Sequence, residues 1–479
     1  MSNSIPKLWL SEIVGRGINA IALVVTVRLI GVEAYGMVGY VASIVVCLLA
    51  VVQFGSDFIA VRELASASKY SAAEKAEWRT SVLFFRIMLA LCAASALILL
   101  GCLESEAMLK KLFFASIAGV FGMIVPLDAL FQLELQFGKI AAARVLISLL
   151  NFAGILLFVS SSPAAWCIPL ISGVSMMLTQ GLFIARMNID MRVPNVRLAL
   201  RRFGFLLREG LPLCASIILS LLLGQAAIMF LRWFRTPQER GQYTASFRVF
   251  DIANALLVPA ATVLYPHIAA LRPQGDRGER THLINNGVRI SVSLAIGLLG
   301  VALLGAAPIL PLVFGSQFQS SGVFLEILAV ALFFRSISMF FANTLIAVGR
   351  QPLNFFIAVA VTLVNLGLGY AAIPHFGPLG AAVTTVCAFA GEFVLLSIAI
   401  RNDVFYSVIV ASVRKILMMG AGAFAASWAV GYCGATLSHN AVAGAVIAII
   451  VFSFFFIRWI LKSGTVSMES LRGSPATVS

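Results

Sequence analysis

Residues 243–260 read YTASFRVFDIANALLVPA. The stretch is apolar enough to lie in hydrocarbon, yet Arg248 and Asp251 sit inside it, three residues apart. A charge at the centre of a bilayer costs about 2.5–3.5 kcal/mol on insertion scales and is kept where it is paired or functional. The segment therefore reads as a membrane span that turns one face toward protein or water.

The rest of the chain fits that reading. It has 479 residues, of which 61% are hydrophobic and 11% charged, with a mean hydropathy of +1.00. A soluble domain keeps about 25% charged residues to face water; this chain has too few, so its solvent is mostly lipid. A helix needs about 20 apolar residues to cross a bilayer. Fourteen such stretches stand near 8–29, 35–59, 80–101, 110–136, 140–160, 165–186, 205–232, 243–270, 284–308, 322–347, 353–374, 378–400, 414–433 and 441–461. The runs are long and unbroken, whereas barrel strands alternate. The expected fold is an all-α polytopic membrane protein.

The net charge of +14 is spread over connections rather than gathered in a basic domain, which excludes a nucleic-acid partner. Lys and Arg collect in cytoplasmic loops. Arg62, Lys69, Lys75 and Arg79 follow span 2, Arg186, Arg192, Arg197, Arg201 and Arg202 follow span 6, and Arg272, Arg277 and Arg280 follow span 8. Later even-numbered loops carry Arg350, Arg401, Arg414 and Lys415. Odd-numbered loops are poor in both, apart from Arg235 and Arg240 after span 7. Both termini are therefore expected on the cytoplasmic side. The opening MSNSIPKLWL lacks the order of a cleaved signal, so the first span is expected to stay as an anchor. Seven cysteines without a CxxC, and four scattered histidines, give no disulfide framework and no metal site. No GxxxxGK[ST] occurs, so no ATPase and no cofactor is expected on this chain.

The two halves repeat weakly, at an offset of roughly 203 to 215 residues. GVEAYG at 31–36 pairs with ERGQY at 239–243, Arg86 with Arg289, and Gly138-Lys139 with Gly349-Arg350. LLNFAG at 149–154 pairs with LVNLGL at 363–368, and Pro163 with Pro378. Six spans per half is an even number, so the halves share an orientation. The division expected is a six-helix bundle in 1–203, a second in 204–401, and an extra helix pair with a tail in 402–479. Parallel repeats of this kind are a transporter architecture.

Several charges lie deep in spans: Arg16 with Glu12 one turn earlier, Arg248 with Asp251, Arg335 in mid-span 10, Asp128 in span 4 and Glu392 in span 12. Glu12 and Arg16 are i, i+4 and Arg248 and Asp251 are i, i+3, spacings that allow local ion pairs on one helix face. Alternatively Arg16, Arg248 and Arg335 hold an anionic substrate, since the planar guanidinium binds phosphate or carboxylate bidentately and never loses its charge. Asp128, Asp251 and Glu392 either neutralise arginines or exchange H+ or Na+ to drive a cycle. Asn254, Gln225 and Asn343 are scattered polar groups that carry no code for a particular substrate.

GVEAYGMVGYVASI at 31–44 and QFGSDFIAVRELA at 53–65 resemble the opening of bacterial polysaccharide exporters. ERGQYTASFRVFDIANALLVPAATVLYPHIA at 239–269, LVFGSQFQSSG at 312–322 and FGPLGAAVTT at 376–385 resemble later segments of the same proteins. The chain is identified as a member of the Wzx-type O-antigen flippases, within the multidrug/oligosaccharidyl-lipid/polysaccharide exporter superfamily. The resemblance implies two six-helix bundles in an inverted V like that of multidrug and toxin extruders. It also implies transfer of an undecaprenyl-pyrophosphate-linked oligosaccharide across the bacterial inner membrane, in the pathway of O-antigen, lipopolysaccharide or another surface polysaccharide, with other assembly proteins as partners. Arg16 and Arg248 resemble cavity arginines of the superfamily; Arg335 is read from its depth alone. The extra helix pair is similar to that of lipid II flippases, where such helices make a groove for the lipid tail. Competing readings are a small-molecule antiporter of the same fold, which favours acids in its cavity, and an enzyme. A polysaccharide polymerase or ligase would carry a sizeable outer loop with catalytic residues, and a membrane glycosyltransferase would carry acids in its first outer loop; the odd-numbered loops here are short.

Overall fold

The computed structural model describes residues 4–65, 72–125, 131, 137–160, 164–186, 196–270, 277–402, 406–438 and 440–462. They form helices α1 (Ser4–Gln53), α2 (Ser56–Ala65), α3 (Ala72–Leu103), α4 (Ala107–Phe121), α5 (Phe137–Gly154), α6 (Cys167–Arg186) and α7 (Val196–Phe234). Then come α8 (Pro237–Ala270), α9 (Arg277–Phe314), α10 (Ser321–Ala347), α11 (Gln351–Ile400), α12 (Tyr406–Ser438) and α13 (Ala441–Lys462). A π-turn at Ile155–Val159 extends α5, and a 3₁₀ turn at Ser316–Phe318 follows α9. Helix is the only arrangement in which a lipid-facing segment satisfies its own backbone, short of a closed barrel.

Among the described residues, ten segments are long and apolar enough to cross a membrane, and two of these run to 51 and 50 residues. A straight helix of that length spans about 75 Å, against a hydrocarbon core of about 30 Å. Both break midway at a glycine with positive φ: Gly31 (φ 77°, ψ 174°) in α1 and Gly377 (φ 56°, ψ −136°) in α11. The breaks fall in the gaps between spans 1 and 2 and between spans 11 and 12. Reading each kinked helix as two spans leaves spans 4 and 8 of the expected fourteen; part of span 4, and the side chains of 258–270 in span 8, lie outside the described residues.

The chain divides into two compact units, 1–241 and 242–479. In the first, α1 packs against α3, α4, α5 and α7. Its core joins Tyr40 and Val41 to Leu97, Leu109, Leu112 and Phe113. A second cluster joins Phe54, Ile59, Trp78, Phe85, Leu206 and Cys214, fixing α2 against α3 and α7. In the second unit α9, α10 and α11 pack in series, and α12 and α13 pack on each other and on α9. Gly431 and Gly444 face Ala448 and Ala435 at the α12–α13 crossing, the small-residue contact that lets helices approach closely in lipid. Elsewhere large apolar side chains point outward, Leu157, Phe158, Phe356 and Met418 among them, each more than 60% exposed. Buried hydroxyls turn back on their own helices: Thr26, Ser116, Thr344 and Thr362 each donate to the carbonyl four residues earlier. No water is needed to satisfy them.

The α11 break rests on Gly377, whose dihedrals no L side chain adopts without strain. Gly377→Ala is expected to lower stability by about 1–3 kcal/mol. Gly391→Ala on the same helix, where an added Cβ meets nothing within 4 Å, is expected to be neutral or slightly stabilising. Thermal unfolding of the purified full chain in detergent checks both; equal losses would contradict the kink.

Candidate functional site

The candidate site residues fall in both units, and each unit is described by itself. In the second unit Arg335 lies midway along α10 and Glu392 in the C-terminal half of α11. Nη1 of Arg335 donates to both carboxylate oxygens of Glu392, at 3.2 and 3.1 Å. The guanidinium also stands over the Phe389 ring, 5.5 Å from its centroid. Glu392 is 11% exposed and Arg335 27%. Because one nitrogen takes both oxygens, Glu392 does not engage the opposite edge of the guanidinium, formed by Nε and Nη2. A fork–fork pair would have used two nitrogens.

Aromatic side chains hold this pair in place. Phe389 packs on Phe250 of α8, which continues through Phe247 to Tyr243. Tyr243 is fully buried and shares a 3.4 Å hydrogen bond with Thr385. Ser246 donates to the Ser321 carbonyl at 2.6 Å. The Tyr243, Phe247 and Phe250 face of α8 is thus fixed against α10 and α11, with the i, i+4, i+7 spacing of one helix stripe.

Arg248 lies off that stripe and is half-buried, while Asp251 is exposed. Among the described residues no ion pair joins them, so the local pair that their spacing allows does not form. An i, i+3 spacing brings two side chains near but does not force contact. Asn254 and Asn343 are half-buried on the same two helices, α8 and α10.

In the first unit Arg16 is half-buried within α1 and makes contacts of its own. The side chain of its expected partner Glu12, and all of Asp128, lie outside the described residues. Gln225 is buried on α7.

Two arginines matter more than the sequence alone indicates. Arg86, marked there only by its repeat partner Arg289, is 2% exposed. It is held by Asp57 at 2.7 Å, by Ser56 Oγ at 2.8 Å and by the Met123 carbonyl at 3.4 Å. This works because span 2 ends early. Phe54 (φ 48°) and Gly55 (φ 68°) break the helix after Gln53, and α2 starts with the two residues that meet Arg86. The signal for it was Ser56-Asp57 directly after a glycine. Arg240, read as a loop charge, is 1% exposed. Its Nε donates to the Gly36 carbonyl at 2.8 Å and its guanidinium covers the Tyr40 ring. Burial, followed by repulsion from Arg232, pushes it down to about 10, against the attraction of Glu106, Tyr40 and Glu104; it stays charged at neutral pH. Arg232 is paired with Glu104 at 3.2 Å. The excess positive charge after span 7 is therefore partly built into the fold rather than free in a loop.

The fold defines a multi-pass membrane protein built of helices. A family model described as "Polysaccharide biosynthesis protein" matches residues 4–272, more than half of the chain, and the chain belongs to that family. The membership of a polysaccharide-biosynthesis family expected from the sequence is thereby borne out. The chain is 23% identical over 404 residues to the probable low-salt glycan biosynthesis flippase Agl15 of Haloferax volcanii, covering 82% of each. Among solved structures it is similar to the lipid II flippase MurJ in an inward closed conformation, with a TM-score of 0.75 at 14% identity. That match covers 95% of this chain and 99% of the other. It is also similar to an inward-facing multidrug resistance transporter of the MATE family, with a TM-score of 0.63 at 17% identity, over 86% of this chain and 99% of the other.

Breaking a buried pair leaves an uncompensated charge, which costs more than the pair itself contributes. Glu392→Ala is expected to destabilise the protein by about 2–3 kcal/mol. The double variant Arg335→Met/Glu392→Met is expected to recover most of that loss. A double-mutant cycle on thermal stability showing simple additivity would contradict the pairing.

Proposed function

We propose that this protein is a flippase for a lipid-linked oligosaccharide, carried on undecaprenyl pyrophosphate, and that it works by alternating access. In this reading it lies in a bacterial inner membrane with both termini in the cytoplasm and moves its cargo toward the periplasmic leaflet. The fourteen spans, the inverted V of two six-helix bundles and the three-part division at 203 and 401 belong to the proposal. So does the assignment of the cargo to O-antigen or a related surface polysaccharide, with its assembly proteins as partners. Family membership supports transport in a polysaccharide pathway rather than catalysis. The resemblance to Agl15 and to the lipid II flippase favours a lipid-linked glycan, and the match to the flippase extends over 95% of the chain against 86% for the multidrug transporter.

The observation that carries the site is the open edge of Arg335. A guanidinium at mid-helix, paired through one nitrogen and still 27% exposed, has donors left for a second anion. A pyrophosphate offers the oxygens for that edge, and Arg248 and Arg16 supply further fixed cations. Glu392 then acts as a resident anion on the neighbouring nitrogen, whose charge opposes that of the arriving pyrophosphate. Protonation of Glu392, or Na+ at Glu392, Asp251 or Asp128, is the proposed way to couple the cycle to an ion gradient. A small-molecule antiporter is the second reading, favoured by the multidrug-transporter fold.

Complementation of a flippase-null strain, at matched expression, separates the readings. Wild type is expected to restore surface polysaccharide, and Arg16→Ala, Arg248→Ala and Arg335→Ala are expected to lower it by about tenfold or more, the cost of a lost charge-assisted hydrogen bond. Full rescue by all three variants would remove the arginine site, and drug efflux without rescue by wild type would favour the antiporter.

A further inference from the structure

Helices α12 and α13 contain no Asp or Glu, yet besides Lys462, the last residue of α13, they carry three basic residues: Arg414 and Lys415 near the start of α12 and Arg458 near the end of α13. The helices are consecutive and cross at Gly431–Ala448 and Gly444–Ala435, so the start of one and the end of the other share one end of the pair. At that end lies an open groove of about 430 Å³ lined by Met418, Met419, Gly422, Ala423, Phe455 and Arg458. Arg414 and Lys415 are one turn before Met418 and Met419, which puts them on the same helix face. All three basic side chains are exposed, and Met418 and Phe455 are 69% and 53% exposed.

We infer that this groove is a binding site for an anionic phospholipid of the surrounding bilayer, held with one acyl chain against the methionines and its phosphate among Arg414, Lys415 and Arg458. Two features select this occupant. The first is charge complementarity: three cations with no acid on either helix attract a negative headgroup, and each basic residue near a membrane surface adds to that attraction. The second is shape: flexible methionines beside small residues accept an irregular alkyl chain. The three cations stand at the helix ends, so a phosphate held there stays at the membrane surface. A cargo pyrophosphate has to leave that level to cross, which makes the bound lipid a resident rather than the cargo. The site is separate from the Arg335 pair and does not depend on the proposed transport function.

The test measures lipid binding rather than transport. The purified full chain in detergent is titrated with phosphatidylglycerol and with phosphatidylcholine, and bound lipid is counted by native mass spectrometry. Wild type is expected to prefer phosphatidylglycerol by about tenfold or more, from three basic residues acting together. The triple variant Arg414→Gln/Lys415→Gln/Arg458→Gln is expected to lose the preference while binding phosphatidylcholine as before. A second variant, Ala423→Trp, fills the groove and leaves the charges; it is expected to lose the same bound lipid. Retention of the preference in either variant would overturn the site. Displacement of phosphatidylglycerol by equimolar undecaprenyl phosphate would also overturn it, because the groove would then belong to a prenyl carrier.

Discussion

A guanidinium taken out of water must find oxygen or π-electron density within the protein, and the polar groups of this chain are arranged around that constraint. Arg86 meets it with a carboxylate and a hydroxyl that follow the helix break at Phe54–Gly55, and with the Met123 carbonyl. Arg240 meets it with one carbonyl and the face of Tyr40. Arg335 meets it with Glu392 and the face of Phe389. Each solution ties together elements distant in sequence, so each arginine also fixes how its helices pack. Apolar contact cannot do this alone, because lipid tails are as apolar as the helix surfaces they would replace.

The three solutions differ in how completely they enclose the charge, and the difference bears on function. Arg86 and Arg240 are sealed, at 2% and 1% exposure, and serve the fold. Arg335 is paired through one nitrogen and remains partly open. A sealed cation fits a structural role; a half-open one at mid-helix fits the recognition of an anion that arrives and leaves. The aromatic ladder from Tyr243 to Phe389 keeps the guanidinium in register with α8, the helix that bears Arg248.

Much of the fold was legible because the bilayer imposes simple rules. Twenty apolar residues make a span, and glycine beside proline, as in HFGPLG around 377, marks its break. Family resemblance was legible in GVEAYG and in the eighth span. The site was legible only in its depth: Arg335 and Glu392 stand out as charges in oil, but their contact spans 57 residues of sequence and no local spacing announces it. Local spacing pointed instead to Arg248 with Asp251, and that pair does not form. Arg240 was hidden by its place beside a turn, because burial at a helix start depends on Tyr40 and Gly36 far upstream. Asp57 was hidden because its role needs the helix break at Phe54–Gly55, which ends α1 before the apolar run does.

The central claim is that Arg335 offers an anion site on the edge that Glu392 leaves open, and that the Glu392 charge opposes the anion bound there. The most direct measurement is the affinity of the purified protein for undecaprenyl pyrophosphate in wild type, Arg335→Ala and Glu392→Gln, with the neutral polyprenol as reference. The account predicts opposite signs: weaker binding without the guanidinium, and tighter binding once the opposing carboxylate is neutralised, with the polyprenol unaffected. Weaker binding in both variants, or no change in either, would contradict it.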